Sequence, residues 1–163
     1  MTQFTASLSW QRDNQPFTDQ RYSRAHTWHF DGGLTLPASS SPHSVPVPMS
    51  DPAALDPEEA LVAAASSCHM LFFLSLAAAR GFVVDRYEDE AVGTLARDER
   101  GRQAMTRIVL RPRIAFAGTG PDAALLATLH HEAHARCYIA NSLRGEIVVE
   151  GIDGVDVIAA GGA

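Results

Sequence analysis

Apolar and polar residues alternate over residues 4–10 (FTASLSW), the period of a strand with one face buried. Residues 12–18 are polar and hold Pro16, which marks a turn. Alternation returns over 22–30 (YSRAHTWHF), with Tyr22, Trp28 and Phe30 on matching parities. Asp31-Gly32-Gly33 is a hairpin signal, and residues 34–36 resume as a strand. Over residues 37–55, Pro37, Pro42, Pro46, Pro48 and Pro52 with the Ser39-Ser40-Ser41 run exclude a regular element. A loop of that length inside a domain is usually functional.

Asp56-Pro57-Glu58-Glu59 then reads as a helix start. Asp56 is a good N-cap, proline suits the first helical position, and Glu59 falls at the capping-box position. Arg80-Gly81 supplies the stop, so one long helix is expected from Asp56 to Arg80, buried for most of its length. Residues 83–96 and 105–116 flank the polar turn 97–102 and read as an antiparallel pair. Pro121-Asp122 opens a second helix running to about Arg136, and Cys137 sits where it ends. A last strand is expected at 147–149, before a glycine-rich tail at 161–163. Without an internal repeat, this order predicts an α+β fold in a single domain over 1–163.

Composition narrows the function. The net charge of -6 gives no electrostatic footprint for nucleic acid, and the 13 basic residues form no run for an anionic membrane surface. The N-terminus has no apolar run after a basic start, so a cytoplasmic protein is expected. Residues 60–79 carry no formal charge and are long enough to span a bilayer. Their Ala, Ser, Cys and His content points instead to a helix buried in a protein core.

Cys68 and Cys137 are the only cysteines, too few for a disulfide scaffold or a four-cysteine zinc site. A cytosolic chain holds such thiols reduced. A mid-helix cysteine such as Cys68 is ordinarily a small hydrophobe, and it becomes a nucleophile only as thiolate beside a cation. Two cysteines far apart in sequence also fit a peroxidatic and resolving pair: one becomes a sulfenic acid, and the other condenses with it to a disulfide. Count alone leaves two unrelated buried thiols equally open.

The segments Asp56-Pro57-Glu58-Glu59-Ala60-Leu61-Val62-Ala63-Ala64-Ala65-Ser66-Ser67-Cys68-His69 and Ala133-His134-Ala135-Arg136-Cys137-Tyr138-Ile139-Ala140-Asn141-Ser142-Leu143-Arg144-Gly145 resemble the two signatures of the OsmC/Ohr family of organic hydroperoxide reductases. Element order and length are similar over nearly the whole chain. The resemblance implies an OsmC-like fold, an intertwined homodimer with a long central helix packed against antiparallel sheets. It implies Cys68 as peroxidatic and Cys137 as resolving cysteine, an organic hydroperoxide as substrate, and a lipoyl-type or small dithiol as reductant. No cofactor is called for. It further implies an N-terminal arginine that activates the thiolate, matching Arg24 with Arg21 as alternative, and a glutamate that holds it, matching Glu58. Glu58 and Cys68 are about 15 Å apart along a straight helix, so either the helix breaks between them or, the preferred reading for an intertwined dimer, the glutamate at each site comes from the partner chain. Two departures stand out: Tyr138 follows Cys137 where a proline is usual, and His69 follows Cys68 where an aromatic residue is common.

Other chemistry is also written in the sequence. His130, His134 and Cys137 share the i, i+4, i+7 face of a helix, a spacing that can ligate a metal. An amphipathic helix with polar histidines explains the same pattern. His69 points about 100° away from its neighbour Cys68, so direct contact is not expected. Met70, Leu71, Phe72 and Phe73 are candidates to line an apolar substrate pocket. The competing functions are a small-molecule binding protein on the same scaffold, with structural thiols, and a His/Cys metal-binding protein.

Overall fold

A computed structural model describes residues 1–152. The tail at 161–163 lies outside the described residues. Contacts gather into two units, residues 1–60 and residues 61 onward.

In the first unit, β1 (Ala6–Ser9), β2 (His26–Phe30) and β3 (Thr35–Ala38) form an antiparallel sheet in that order. Leu8 faces Trp28, and Trp28 faces Leu36, so the alternation of the sequence becomes one apolar row across the sheet. Asp31-Gly32-Gly33 closes the β2–β3 hairpin, with Gly33 at φ 85°, a conformation that favours glycine. β2 starts four residues later than the alternation suggests, at His26 rather than Tyr22. The backbone before it is committed elsewhere: Arg24 N donates to Met49 O at 2.7 Å, and Arg24 O is held by His26 Nδ1 at 2.8 Å. The proline-rich loop is tied back to β3. Ser39 N donates to Leu55 O, Leu55 N donates to Pro37 O, and Asp51 N donates to the buried Ser39 Oγ.

Helix α1 (Pro57–Ala79) starts as expected. Glu59 N donates to Asp56 Oδ1 at 2.8 Å and Asp56 N donates to Glu59 Oε2 at 3.4 Å, a complete capping box. It stops at Gly81, φ 81°, where Phe82 N donates back to Ala77 O at 3.0 Å. Burial along α1 follows one stripe, Ala65, His69, Phe73, Leu76 and Ala77, rather than the full circumference. By length and composition α1 could cross a membrane, with mean hydropathy 1.8.

In the second unit, residues 83–96 and 105–116 do pair antiparallel, but each breaks once. β4 (Val84–Asp89) pairs with β7 (Pro112–Phe116), while β5 (Val92–Arg97) pairs with β6 (Gln103–Leu110). The breaks face each other: Arg111 N leaves the ladder to donate to Asp89 Oδ1 at 2.6 Å. The expected long hairpin is therefore shared between two sheets. β8 (Glu146–Val149) adds to β6 in parallel, completing the order β5-β6-β8. Helix α2 (Ala123–Arg136) and the short α3 (Tyr138–Ser142) precede it. Asp122 caps α2 by accepting from Leu125 N.

Two apolar clusters hold this unit. Ala65, Ile108, Leu110, Ile147 and Val149 form one, joined by Ile139, Ala140 and Leu143 of the α3 region. Phe73, Leu76, Ala77, Leu129 and Ala133 form the other. α1 supplies residues to both, and Cys68 lies on it between Ala65 and Phe73.

Candidate functional site

Cys137 stands at the junction of two helices and belongs to both. Its N–H donates to His134 O at 3.1 Å, closing α2, while its carbonyl accepts from Asn141 N at 3.0 Å. Its Sγ accepts from Ala140 N at 3.3 Å and so caps α3. The residue is 1% exposed. Cys68 is half-buried on α1. The Cys68 side chain comes close enough to perturb the Cys137 thiol, and both cysteines are free thiols. Burial is the main force on Cys137 and the contact with Cys68 adds to it, pushing the thiol from 9.0 up to about 11. At neutral pH Cys137 is therefore protonated, while Cys68 is the more open of the pair.

Aromatic residues flank the thiols. Phe72 lies one helical turn beyond Cys68 and meets Tyr138, the neighbour of Cys137, edge to face at 5.2 Å. Tyr138 is 70% exposed. The expected lining of Met70 through Phe73 holds only in part. Phe73 is fully buried against His130 (4.5 Å) and Tyr87 (5.7 Å), so it serves the core. Leu71 points outward and is 61% exposed.

His69 faces away from Cys68 and reaches α2, where its Nε2 lies 3.0 Å from His130 Nδ1. Both imidazoles are buried. His130 is thus a core residue, not the polar surface histidine its helix face suggested. His134 is exposed, and His130, His134 and Cys137 do not converge. Among the described residues no group of three or more His, Cys, Asp or Glu is arranged to hold a metal.

The spacing also gave no hint of Asp89. It accepts from Ser66 Oγ on α1 as well as from Arg111 N, tying the thiol-bearing helix to the bend in the sheets. Tyr87 is half-buried nearby on β4, and desolvation together with the Asp89 charge pushes its hydroxyl far up.

Arg24 and Glu58 belong to the first unit. Arg24 stacks over the Tyr22 ring, its Cζ 3.8 Å from the centroid. Its Nη1 donates to Gln20 O at 2.8 Å and to Tyr22 O. Arg21 is exposed, with its backbone N–H on Asp19 Oδ1. Glu58 is half-buried in the first turn of α1. Within one chain no ion pair joins Arg24 to Glu58 among the described residues.

Comparison with known proteins places this geometry. Residues 50–151 match the family described as OsmC-like protein. An OsmC-like protein of unknown function from Vibrio cholerae O1 biovar eltor str. N16961 is 52% identical over 92% of this chain and 99% of its own, with a TM-score of 0.89. An organic hydroperoxide resistance protein OsmC from Legionella pneumophila shares the fold at 16% identity, over 92% of this chain and 95% of its own, with a TM-score of 0.64. An organic hydroperoxide resistance protein from Elizabethkingia anophelis, with crystallant-derived thiocyanate bound, does so at 16% identity, over 91% and 93%, with a TM-score of 0.67. No curated protein matches the chain.

Proposed function

Because this chain belongs to the OsmC-like protein family, we propose that it is a thiol peroxidase reducing organic hydroperoxides to alcohols. The observation that carries this reading is that Cys68, on α1, and Cys137, at the end of α2, come close enough for one side chain to perturb the other. Two thiols already that close need little movement to become a disulfide.

The half-buried Cys68 attacks, and the buried, protonated Cys137 resolves. The Cys68 thiolate attacks the terminal peroxide oxygen. An S–O bond forms, the O–O bond breaks, and the alkoxide leaves and takes up a proton as alcohol. The Cys137 sulfur then attacks the Cys68 sulfenic acid. The S–S bond forms as the S–O bond breaks, and the hydroxide leaves as water with the Cys137 proton. A dithiol, lipoyl-type or small, restores both thiols by exchange and is itself oxidised to a disulfide.

Family resemblance gives Arg24 the stabilisation of the thiolate and of the departing alkoxide, and gives Glu58 the holding of that arginine. The working unit is a homodimer with Glu58 crossing from the partner chain. In support, Leu71 on α1, Val92 and Leu95 on β5 and Tyr138 on α3 stand exposed, as expected of surfaces that a second copy covers. The protein works in the cytoplasm, with α1 as a core helix. Its Ser66 bond to Asp89 and its His69 bond to His130 are protein contacts that a lipid-facing helix would not make.

The test is peroxide consumption with cumene or tert-butyl hydroperoxide and dithiothreitol. Turnover by the wild type and its loss in Cys68→Ser are expected. No turnover by the wild type, or equal turnover by Cys68→Ser, refutes the assignment.

A further inference from the structure

His69 and His130 are buried, and the thiol chemistry above gives them no part. Yet they lie on the two helices that carry the thiols. On α1, His69 follows Cys68 directly. On α2, His130 precedes Cys137 by seven positions, two turns along one face or about 10 Å. Both histidines and both cysteines belong to the second unit.

The connection from His130 to Cys137 is stiff. Cys137 N donates to His134 O, so Cys137 closes the same hydrogen-bonded helix that carries His130. A shift of α2 along α1 therefore moves Cys137 against Cys68.

Most of what holds α2 on α1 has no direction. Phe73, Leu76 and Ala77 of α1 meet Leu129 and Ala133 of α2 in an apolar cluster. Burial of that kind resists separation but is non-directional, so it permits a slide. Arg80 and Glu132 pair between the helices at 2.6 Å, but on long, partly exposed side chains that follow a shift. The bond between His69 Nε2 and His130 Nδ1, at 3.0 Å, is buried, short-armed and directional. The His130 ring packs against both the His69 ring, at 5.3 Å, and the Phe73 ring, at 4.5 Å. A slide that stretched this bond would cost a buried hydrogen bond.

Disulfide closure is sensitive to such a slide. The two Cα atoms must stand about 4.4–6.8 Å apart with their side chains aimed at each other. A misplacement of about 1 Å can cost about a hundredfold in rate.

We propose that the bond between His69 and His130 sets the register of α2 on α1 and thereby places Cys137 to close the disulfide with Cys68. The two histidines are positioning residues, acting through the helices that carry the sulfurs. Use of that disulfide against a peroxide rests on the peroxidase reading above, whereas the register does not.

Amide substitutions separate register from packing. Asparagine at position 130 puts its amide where Nδ1 stood, within reach of His69. Glutamine puts its amide where Nε2 stood, although it is nearer to histidine in volume. The readout is equilibrium of the reduced protein with oxidised glutathione. One glutathione disulfide takes two electrons and two protons from Cys68 and Cys137, giving the protein disulfide and two reduced glutathiones. The equilibrium constant reports the effective concentration of one thiol toward the other and needs no peroxide. His130→Asn should stay within about twofold of wild type, while His130→Gln should fall about tenfold. With cumene hydroperoxide, His130→Gln should lose the free Cys68 thiol at the wild-type rate but close the disulfide more slowly. The mirrored pair repeats the test from α1: His69→Gln keeps the bond and His69→Asn does not, so a variant that fails to fold at one position leaves the other to decide. The predicted glutathione pattern without any peroxide consumption would keep the register and discard the peroxidase. Equal effective concentrations in His130→Asn and His130→Gln, or a larger loss in His130→Asn as volume alone predicts, overturn the proposal.

Discussion

His69 on α1 and His130 on α2 lie buried with their rings 10° from parallel and Nε2 of one 3.0 Å from Nδ1 of the other. One nitrogen must donate and the other accept, so the two imidazoles fix each other's protonation across the helix interface. Replacing only His130 by Leu takes this bond from a buried imidazole. A loss of about 1–3 kcal/mol in urea unfolding is expected. The double variant His69→Leu with His130→Leu should recover part of that loss, because both polar groups are then gone. Additive losses in the two single variants would contradict the pairing.

Cys137 supplies a pH prediction. Its folded pKa of about 11 lies above the ordinary 9.0, so the folded chain holds this proton more tightly than the unfolded chain does. Its contribution to stability is therefore complete below about pH 9 and is lost as pH rises toward 11. In the folded protein at pH 8, Cys137 should alkylate with iodoacetamide far more slowly than in the urea-unfolded chain. The gap should close near pH 11. Peptide mass spectrometry reads both rates, and equal rates at pH 8 would contradict the burial argument.

Gly145 begins the approach to β8 against the β6 backbone. A Cβ built there would stand 2.2 Å from Met105 O, and a backbone oxygen cannot rotate away. Gly145→Ala should cost about 1–3 kcal/mol by overpacking. Gly93→Ala meets only the side chains of Val62 and Met105, so it should cost less in the same denaturation assay.

Much of this was legible locally. The Asp56 and Glu59 capping box, the Gly81 stop and the Asp31-Gly32-Gly33 hairpin all form as the residues predict, since each is decided within a few positions. The break of 83–96 and 105–116 was not legible, because it depends on Asp89 meeting Arg111 across 22 positions. His130 misled for the same reason: its helix face looks polar until His69 arrives from 61 positions away. Spacing alone left Cys68 and Cys137 as possible strangers. Only the resemblance joined them. The stacking of Phe17 on Tyr22 was invisible because they sit on either side of a turn that alternation cannot describe.

Arg24 and Glu58 carry roles drawn from family resemblance, and substitution distinguishes them from Arg21. With cumene hydroperoxide as substrate, Arg24→Met should lower kcat/KM by about 10²- to 10³-fold, the scale of a lost charge-stabilising donor. Arg21→Met should change it less than about twofold, since Arg21 is exposed and its bond to Asp19 Oδ1 is made through its backbone N–H. Glu58→Gln should fall between. A larger loss from Arg21→Met than from Arg24→Met would move the role to Arg21.

The most direct test is the fate of the two sulfurs after one equivalent of cumene hydroperoxide is added to fully reduced protein. Non-reducing peptide mapping should recover the Cys68 and Cys137 peptides joined by a disulfide, with loss of two hydrogens and no added oxygen. Two intact thiols, or a Cys68 carried to sulfinic acid beside an untouched Cys137, would contradict the account.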